Sequence, residues 1–254
     1  MTHQFRTRLT GGELLVGTML TLRCPDVAEI LAGVGFDWLF IDAEHGTFEA
    51  RDMQAMLQAA GAGTPCVVRV SSNEEVPIKK ALDVGAAGII APQVNSVEQA
   101  EAVVRFAKYA PQGARGVGIG RAHGYGLRFQ EYVDSANQDV AVIIQAEHIA
   151  AVEHIEAIVE VPGIDAVLVG PYDLSASLGR IGQVDHPDVT AAIDRVTQAC
   201  RDAGVWLGIF GISSEAVGPY VEKGYTLITV GVDTMMLGEA AKSVLAELKR
   251  DTLV

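Results

Sequence analysis

The sequence predicts a closed (β/α)8 barrel (a TIM barrel) in a single domain over residues 1–254. Three observations carry that prediction. Eight short apolar runs recur along the chain. Each is apolar throughout rather than alternating, as strands buried on both faces of a parallel sheet must be. Amphipathic helical patterns lie between the runs, and eight such units in 254 residues match the usual size of the barrel.

The strand candidates, in order, are "LLVGTML" (14–20), "WLFIDAE" (38–44), "CVVRV" (66–70), "GIIAPQV" (88–94), "VAVIIQAE" (140–147), "AVLVG" (166–170), "VWLGIF" (205–210) and "TLITVGV" (226–232). Between the first pair, Val27, Ile30, Leu31 and Val34 set an apolar stripe at i, i+3, i+4, i+7. Met53, Met56, Leu57 and Ala60 repeat it, so each predicted helix turns one face to the sheet. Gly35, Gly85, Gly204 and Gly224 stand where helices should end in a left-handed residue. An open doubly wound sheet is the alternative, but "GVGIGR" (116–121) lacks the third glycine of a dinucleotide fingerprint and follows a loop. Residues 110–126 form the longest irregular stretch, a length that points to a functional or mobile loop.

Composition narrows the partners. The net charge of −13 would repel a phosphate backbone or an anionic membrane, so neither nucleic acid nor membrane is expected. Cys24, Cys66 and Cys200 show no metal-ligand spacing, and their odd number fits a reducing compartment. The N-terminal "MTHQFRTRLT" lacks a signal-peptide core, and no apolar run is long enough to span a bilayer. A cytoplasmic location is the expectation.

The stretch "WLFIDAEHG" (38–46) runs from four buried-type residues into two carboxylates and a histidine. Barrel enzymes place reactive groups at the C-terminal ends of their strands. Strand 2 ends in Asp42, Glu44 and His45, strand 3 near Arg69, strand 5 in Gln145 and Glu147, and strand 6 leads through Gly170 and Pro171 to Asp173. Each has a structural reading: Asp173 as a helix N-cap, Glu147 as a solvated loop charge, Arg69 as half of a stabilising pair, His45 as a satisfied structural histidine. Four such strand ends converging on one mouth favour a joint site. Glu147 and Asp173, hard oxygen ligands from adjacent strands, suit Mg2+ or a similar divalent ion chelating a 2-oxo acid. Arg69 could stabilise charge on the keto oxygen, and His45 could act as the base. A Schiff base would need a lysine at a strand end. Lys79, Lys80, Lys108, Lys223, Lys242 and Lys249 all fall in predicted helical segments. The loops after strands 7 and 8 ("GIFGISS", "VGVDTMML") give a weak phosphate signal.

At these residues the sequence resembles the HpcH/HpaI family of metal-dependent class II pyruvate aldolases, over roughly residues 10 to 245. The resemblance rests on "GFDWLFIDAEHG", "VVRV", "KKALDVGAAGIIAP", "PQGARGVG", "QAE" and "GPYDLSASLG". It implies reversible cleavage of 4-hydroxy-2-oxo acids to pyruvate and an aldehyde through a metal-bound pyruvate enolate. The divalent cofactor would be Mg2+, Mn2+ or Co2+, with no organic cofactor. By resemblance, His45 is the general acid/base, Arg69 binds the keto oxygen, and Glu147 and Asp173 hold the metal. Gln145 contacts pyruvate, the backbone amides of Tyr172 and Asp173 receive its carboxylate, and Asp42 and Glu44 order metal-bound waters. Asp83 reaches His45 of a neighbouring subunit. That implies a homo-oligomer, a hexamer arranged as a trimer of dimers, with an exchanged C-terminal helix.

This chain departs from many relatives in Gly46, Thr47 and Phe48 after the histidine, in Ala146 between Gln145 and Glu147, and in "GRAHGYG" (120–126). These changes fall on the rim where the aldehyde half would sit. A second reading is oxaloacetate decarboxylation or a citrate-synthase-like condensation at the same site. A third is a barrel that binds a metal and a 2-oxo acid without turnover, which the filled functional positions argue against.

Overall fold

The computed structural model describes residues 4–250. Eight parallel strands close into a barrel in the order of the sequence. They are β1 (Leu15–Leu20), β2 (Trp38–Asp42), β3 (Cys66–Arg69), β4 (Gly88–Ala91), β5 (Ala141–Ala146), β6 (Ala166–Val169), β7 (Trp206–Gly211) and β8 (Leu227–Val232). The expected strands are all present, but five end earlier than their apolar runs. Residues 43–44, 70, 92–94, 147 and 170 leave the ladder. Those residues are where the barrel opens and its loops begin.

The helices α1 (Gln4–Thr10), α2 (Pro25–Val34), α3 (Ala50–Ala60), α4 (Glu75–Asp83), α5 (Val97–Ala107) and α6 (Phe129–Asp139) accompany the first half. The second half carries α7 (Ile149–Glu153), α8 (Ile155–Ile158), α9 (Pro171–Ser177), α10 (Pro187–Ala203), α11 (Ser214–Glu222) and α12 (Asp233–Arg250). The stripe on α3 is buried as expected, at Met53, Met56, Leu57 and Ala60. That on α2 is only half right. Val27 and Leu31 pack on the core, while Ile30 and Val34 are exposed. Gly35, Gly85, Gly204 and Gly224 have the positive φ expected of them.

Two cores result. One fills the barrel with Trp38, Phe40, Val67, Ile90, Ile143 and Leu168, closed at the floor by Phe5 and Leu9 of α1. The other packs the outer strand faces against the helices. Residues 110–123 form no helix or strand but are pinned to the barrel. Arg115 and His123 are buried, and Ala122 N–H bonds the carbonyl of Asp83. No described helix is long and apolar enough to cross a membrane.

Candidate active site

Asp42 and Arg69 are register partners at the upper ends of β2 and β3. That adjacency builds the base of the site. Arg69 Nε and Nη2 donate to the two oxygens of Asp42 at 2.9 and 2.8 Å. Both residues are buried. Burial opposes the Arg69 charge, but the hydrogen bonds and charge of Asp42, with Glu44 and Glu147 beyond it, raise its pKa above the ordinary value. Asp42 Oδ1 also accepts the backbone N–H groups of Glu44 and His45 at 3.2 and 3.3 Å. Asp42 therefore anchors the loop that presents those two side chains.

Glu44 lies over this pair. Its Oε2 is 3.3 Å from Arg69 Nε and 3.9 Å from His45 Nε2, yet it is buried without a hydrogen bond. Burial raises its pKa, opposed by Arg69 and His45 and reinforced by Asp42 and Asp173. The His45 side chain is 69% exposed, which rules out a packed structural histidine.

Glu147 is buried at the top of β5 and is not a solvated loop charge. One oxygen accepts from Gln145 Nε2. The other accepts the backbone N–H of Gln93 at 2.8 Å. Gln145 Oε1 lies 3.5 Å from Arg69 Nη1, the guanidinium nitrogen that Asp42 leaves free. Burial pushes Glu147 up to about 7, and the charges of Glu44 and Asp173 add to the rise. Gly170, at the top of β6, makes the crowding possible. A Cβ there would stand 3.1 Å from both Gln145 Nε2 and Glu147 Cβ.

Asp173 is exposed in the first turn of α9, close enough for Glu44 and Glu147 to feel its charge. Gly170, not Asp173, is the N-cap of α9. The amides of Tyr172 and Asp173 fall among the first-turn donors that a helix leaves without an internal partner. Asp83 stands apart from the mouth, at the C-terminal end of α4, where Arg115 Nη2 donates to it at 2.7 Å. Gln93 was missed by the sequence reading, because a backbone donor carries no residue-type signal. The weak phosphate signal gains no support: the buried Asp233 carboxylate closes β8, and Ser213 Oγ is engaged with the N–H of Ala216. A cavity of about 520 Å3 opens elsewhere, at the starts of β3 and β4 beside Arg121 and Tyr132, and holds none of the expected site residues.

Four carboxylates and one arginine thus come from strands 2, 3, 5 and 6 to one mouth, beside a histidine. Residues 16–240 match the HpcH/HpaI aldolase/citrate lyase family. The chain belongs to that family. It is 40% identical over 236 residues to 2-dehydro-3,6-dideoxy-6-sulfogluconate aldolase of Pseudomonas putida, covering 92% of each chain. It is 38% identical over 249 residues to 4-hydroxy-2-oxo-heptane-1,7-dioate aldolase of Shigella sonnei (strain Ss046), covering 97% of this chain and 95% of that one. The crystal structure of citrate synthase SbnG superposes with a TM-score of 0.89 at 27% identity, over 98% of this chain and 99% of that one. As an HpcH/HpaI family member the chain is an enzyme, a carbon–carbon lyase.

The residues fit a divalent cation. Burial raises the proton affinity of Glu44 and of Glu147, the charge of Asp173 adds to both and that of Glu44 adds to Glu147, and a buried oxygen of Glu44 has no hydrogen bond. A hard cation answers both the excess negative charge and the unpaired oxygen. Among the described residues no three His, Cys, Asp or Glu side chains converge as a cage. Two carboxylates completed by water and substrate oxygens are what this donor set allows.

Proposed function

We propose that this enzyme reversibly cleaves 4-hydroxy-2-oxo acids into pyruvate and an aldehyde, with Glu147 and Asp173 holding a divalent cation. The observation that carries the reading is the buried carboxylate excess around a single arginine, beside an exposed histidine. When bound, the cation supplies Lewis acidity at the 2-oxo acid's carboxylate and keto oxygens. Arg69 offers Nη1 to the keto oxygen, where negative charge grows as the C3–C4 bond breaks. Asp42 keeps that guanidinium charged and in place. Gln145, between Arg69 and Glu147, lines the pyruvate side. The amides of Tyr172 and Asp173 receive the substrate carboxylate. His45, at the lip, accepts the C4 hydroxyl proton and returns it in the synthetic direction.

The relatives named above act on different substrates, and Gly46 and Thr47 shape this chain's own rim, while Phe48 is buried in the outer core. A Cβ on Gly46 would lie 2.2 Å from the Asp42 carbonyl, so the loop here cannot take an alanine without moving. The test is pyruvate release from a panel of 4-hydroxy-2-oxo acids after EDTA, then with Mg2+, Mn2+ or Co2+. Metal-dependent release from several of them, lost in His45→Ala, is the expected outcome. Release from oxaloacetate alone would favour decarboxylation. Turnover that survives exhaustive chelation would sink the roles of Glu147 and Asp173.

The surface supports a homo-oligomer with exchanged C-terminal helices. Residues 239–249 of α12 are all exposed, and Leu237, Val244, Leu245 and Leu248 form an apolar stripe along it. Ile30 and Val34 of α2, the faulted half of the predicted stripe, offer the apolar face that another subunit's α12 would cover. In a hexamer of this kind Asp83 would approach His45 of a neighbouring subunit. Light scattering on Val244→Asp should show smaller particles; an unchanged mass would remove the exchange.

A further inference from the structure

The turn after β4 has an uncommon backbone. Gln93 has a φ of 53°, in the left-handed region that residues with a Cβ rarely occupy. Its side chain is exposed, but its backbone N–H is the donor to Glu147 Oε1. The turn is held from the neighbouring loop. Asn73, four residues beyond Arg69, donates through Nδ2 to the carbonyls of Pro92 and Gln93 at 3.2 and 2.9 Å. One side chain thus clamps both peptide carbonyls of the strained turn. Strain of this kind persists only where the surroundings enforce it, and it clusters at functional sites.

We propose that Asn73 is a positioning residue for the metal-binding carboxylate: it holds the 92–93 turn in the left-handed conformation that presents the Gln93 N–H to Glu147. The proposal rests on the reading of Glu147 as a cation ligand. With Gln145 on its other oxygen, Glu147 is then fixed from both sides, and its remaining lone pairs face a cation in one orientation. Outer partners of this kind change metal affinity roughly 10–100-fold when removed. A clamp that only stitched two loops together would affect stability and leave affinity alone.

The experiment is a calorimetric Mn2+ titration of chelator-stripped enzyme, with thermal melts of each protein. The variants are Asn73→Ala, Asn73→Asp (same shape, no donor), Asn73→Ala with Gln93→Gly, and Glu147→Gln. Wild type should bind Mn2+ and Glu147→Gln should lose it. Asn73→Ala and Asn73→Asp should bind about tenfold or more weakly. Adding Gln93→Gly should recover most of the loss, because glycine enters the left-handed region without a clamp. Asn73 variants that bind within twofold of wild type would overturn the proposal, as would a weakening that glycine does not repair. If wild type and Glu147→Gln bind alike, Glu147 is not the ligand and the underlying reading falls with the proposal. Asn73→Asp keeps the test open should Asn73→Ala not fold.

Discussion

The two poles of this barrel bury charge in opposite ways. At the floor, Arg6 Nε donates to both oxygens of Asp165 at 3.0 Å, and Asp165 also caps the N–H of Val142 at 2.9 Å. Lys108 Nζ donates to the carbonyls of Asn137 and Val140 at 2.9 and 2.6 Å. Each charged group there has its hydrogen-bond partners. At the mouth, Arg69 is bonded to Asp42 and lies 3.3 Å from Glu44, and among the described residues no second arginine or lysine forms an ion pair with Glu44, Glu147 or Asp173. A balanced network holds a structure together. An unbalanced one stores an electrostatic demand that a cation and an anionic transition state can meet. The difference separates the scaffold from the site more sharply than burial does, since Asp42, Glu147, Asp165 and Lys108 are all buried.

That contrast can be broken most directly with two arginines. Arg69→Leu should lower kcat by about 100- to 1,000-fold, the usual cost of losing a positioned donor to a developing oxyanion. It also leaves Asp42 buried and unpaired, so its melting temperature should fall. Arg6→Leu should lower the melting temperature as well while keeping kcat/KM within about twofold, since it lies far from the chemistry. Equal loss of activity in both would show that the poles are not independent.

A second test uses pH. Glu147, pushed up to about 7 from an unfolded value near 4.5, takes up protons more readily in the folded chain. Its contribution to stability is therefore fully present below about 4.5 and lost as pH rises toward 7. For EDTA-treated protein, the melting temperature of wild type relative to Glu147→Gln should fall across that window. Mn2+ should abolish the fall, because a cation favours the ionised form. A pH-independent difference would mean that burial does not penalise this carboxylate.

Most of this architecture was legible in the chain. A strand buried on both faces must be apolar throughout, so all eight could be seen, and an ionisable residue at the end of such a run betrays a mouth. Asp42, Glu44, Arg69, Gln145, Glu147 and Asp173 were found that way. Three things were hidden, each for a physical reason. Helix α1 is short, and only its packing of Phe5 and Leu9 beneath Trp38 explains it. The contribution of Gln93 is a backbone N–H, which any residue but proline supplies. The exposed half of the α2 stripe reads as core because periodicity reports that a face is apolar, not what covers it.

The next expected effect comes from a contact rather than a charge. Gly170→Ala puts a methyl 3.1 Å from Gln145 Nε2 and Glu147 Cβ, a separation that forces one of them to move by a few tenths of an ångström. Misplacement on this scale at a catalytic carboxylate should cost about tenfold in kcat/KM. The melt should change little, since the mouth contributes less to the core than the strands below it. Unchanged kinetics would show that the top of β5 has slack to give.

The smallest effect belongs to the floor. Lys108→Met removes an amine that burial holds down at about 8 and leaves two carbonyls without their donor. The relief of desolvation offsets part of the lost hydrogen bonding, so the net cost at pH 7 should be about 1 kcal/mol, with pyruvate release unaffected. Its pH dependence runs opposite to that of Glu147. Lys108 sheds its proton at about 8 when folded and at 10.5 when unfolded, so the unfolded chain binds more protons between those values. Wild type should therefore gain stability over the methionine variant as pH rises from 8 to 10.5. Urea melts at four pH values would measure the slope. A gap that narrows instead would mean that the floor amine is held by its charge, as the mouth arginine is, and the contrast between the poles would lose its chemical basis.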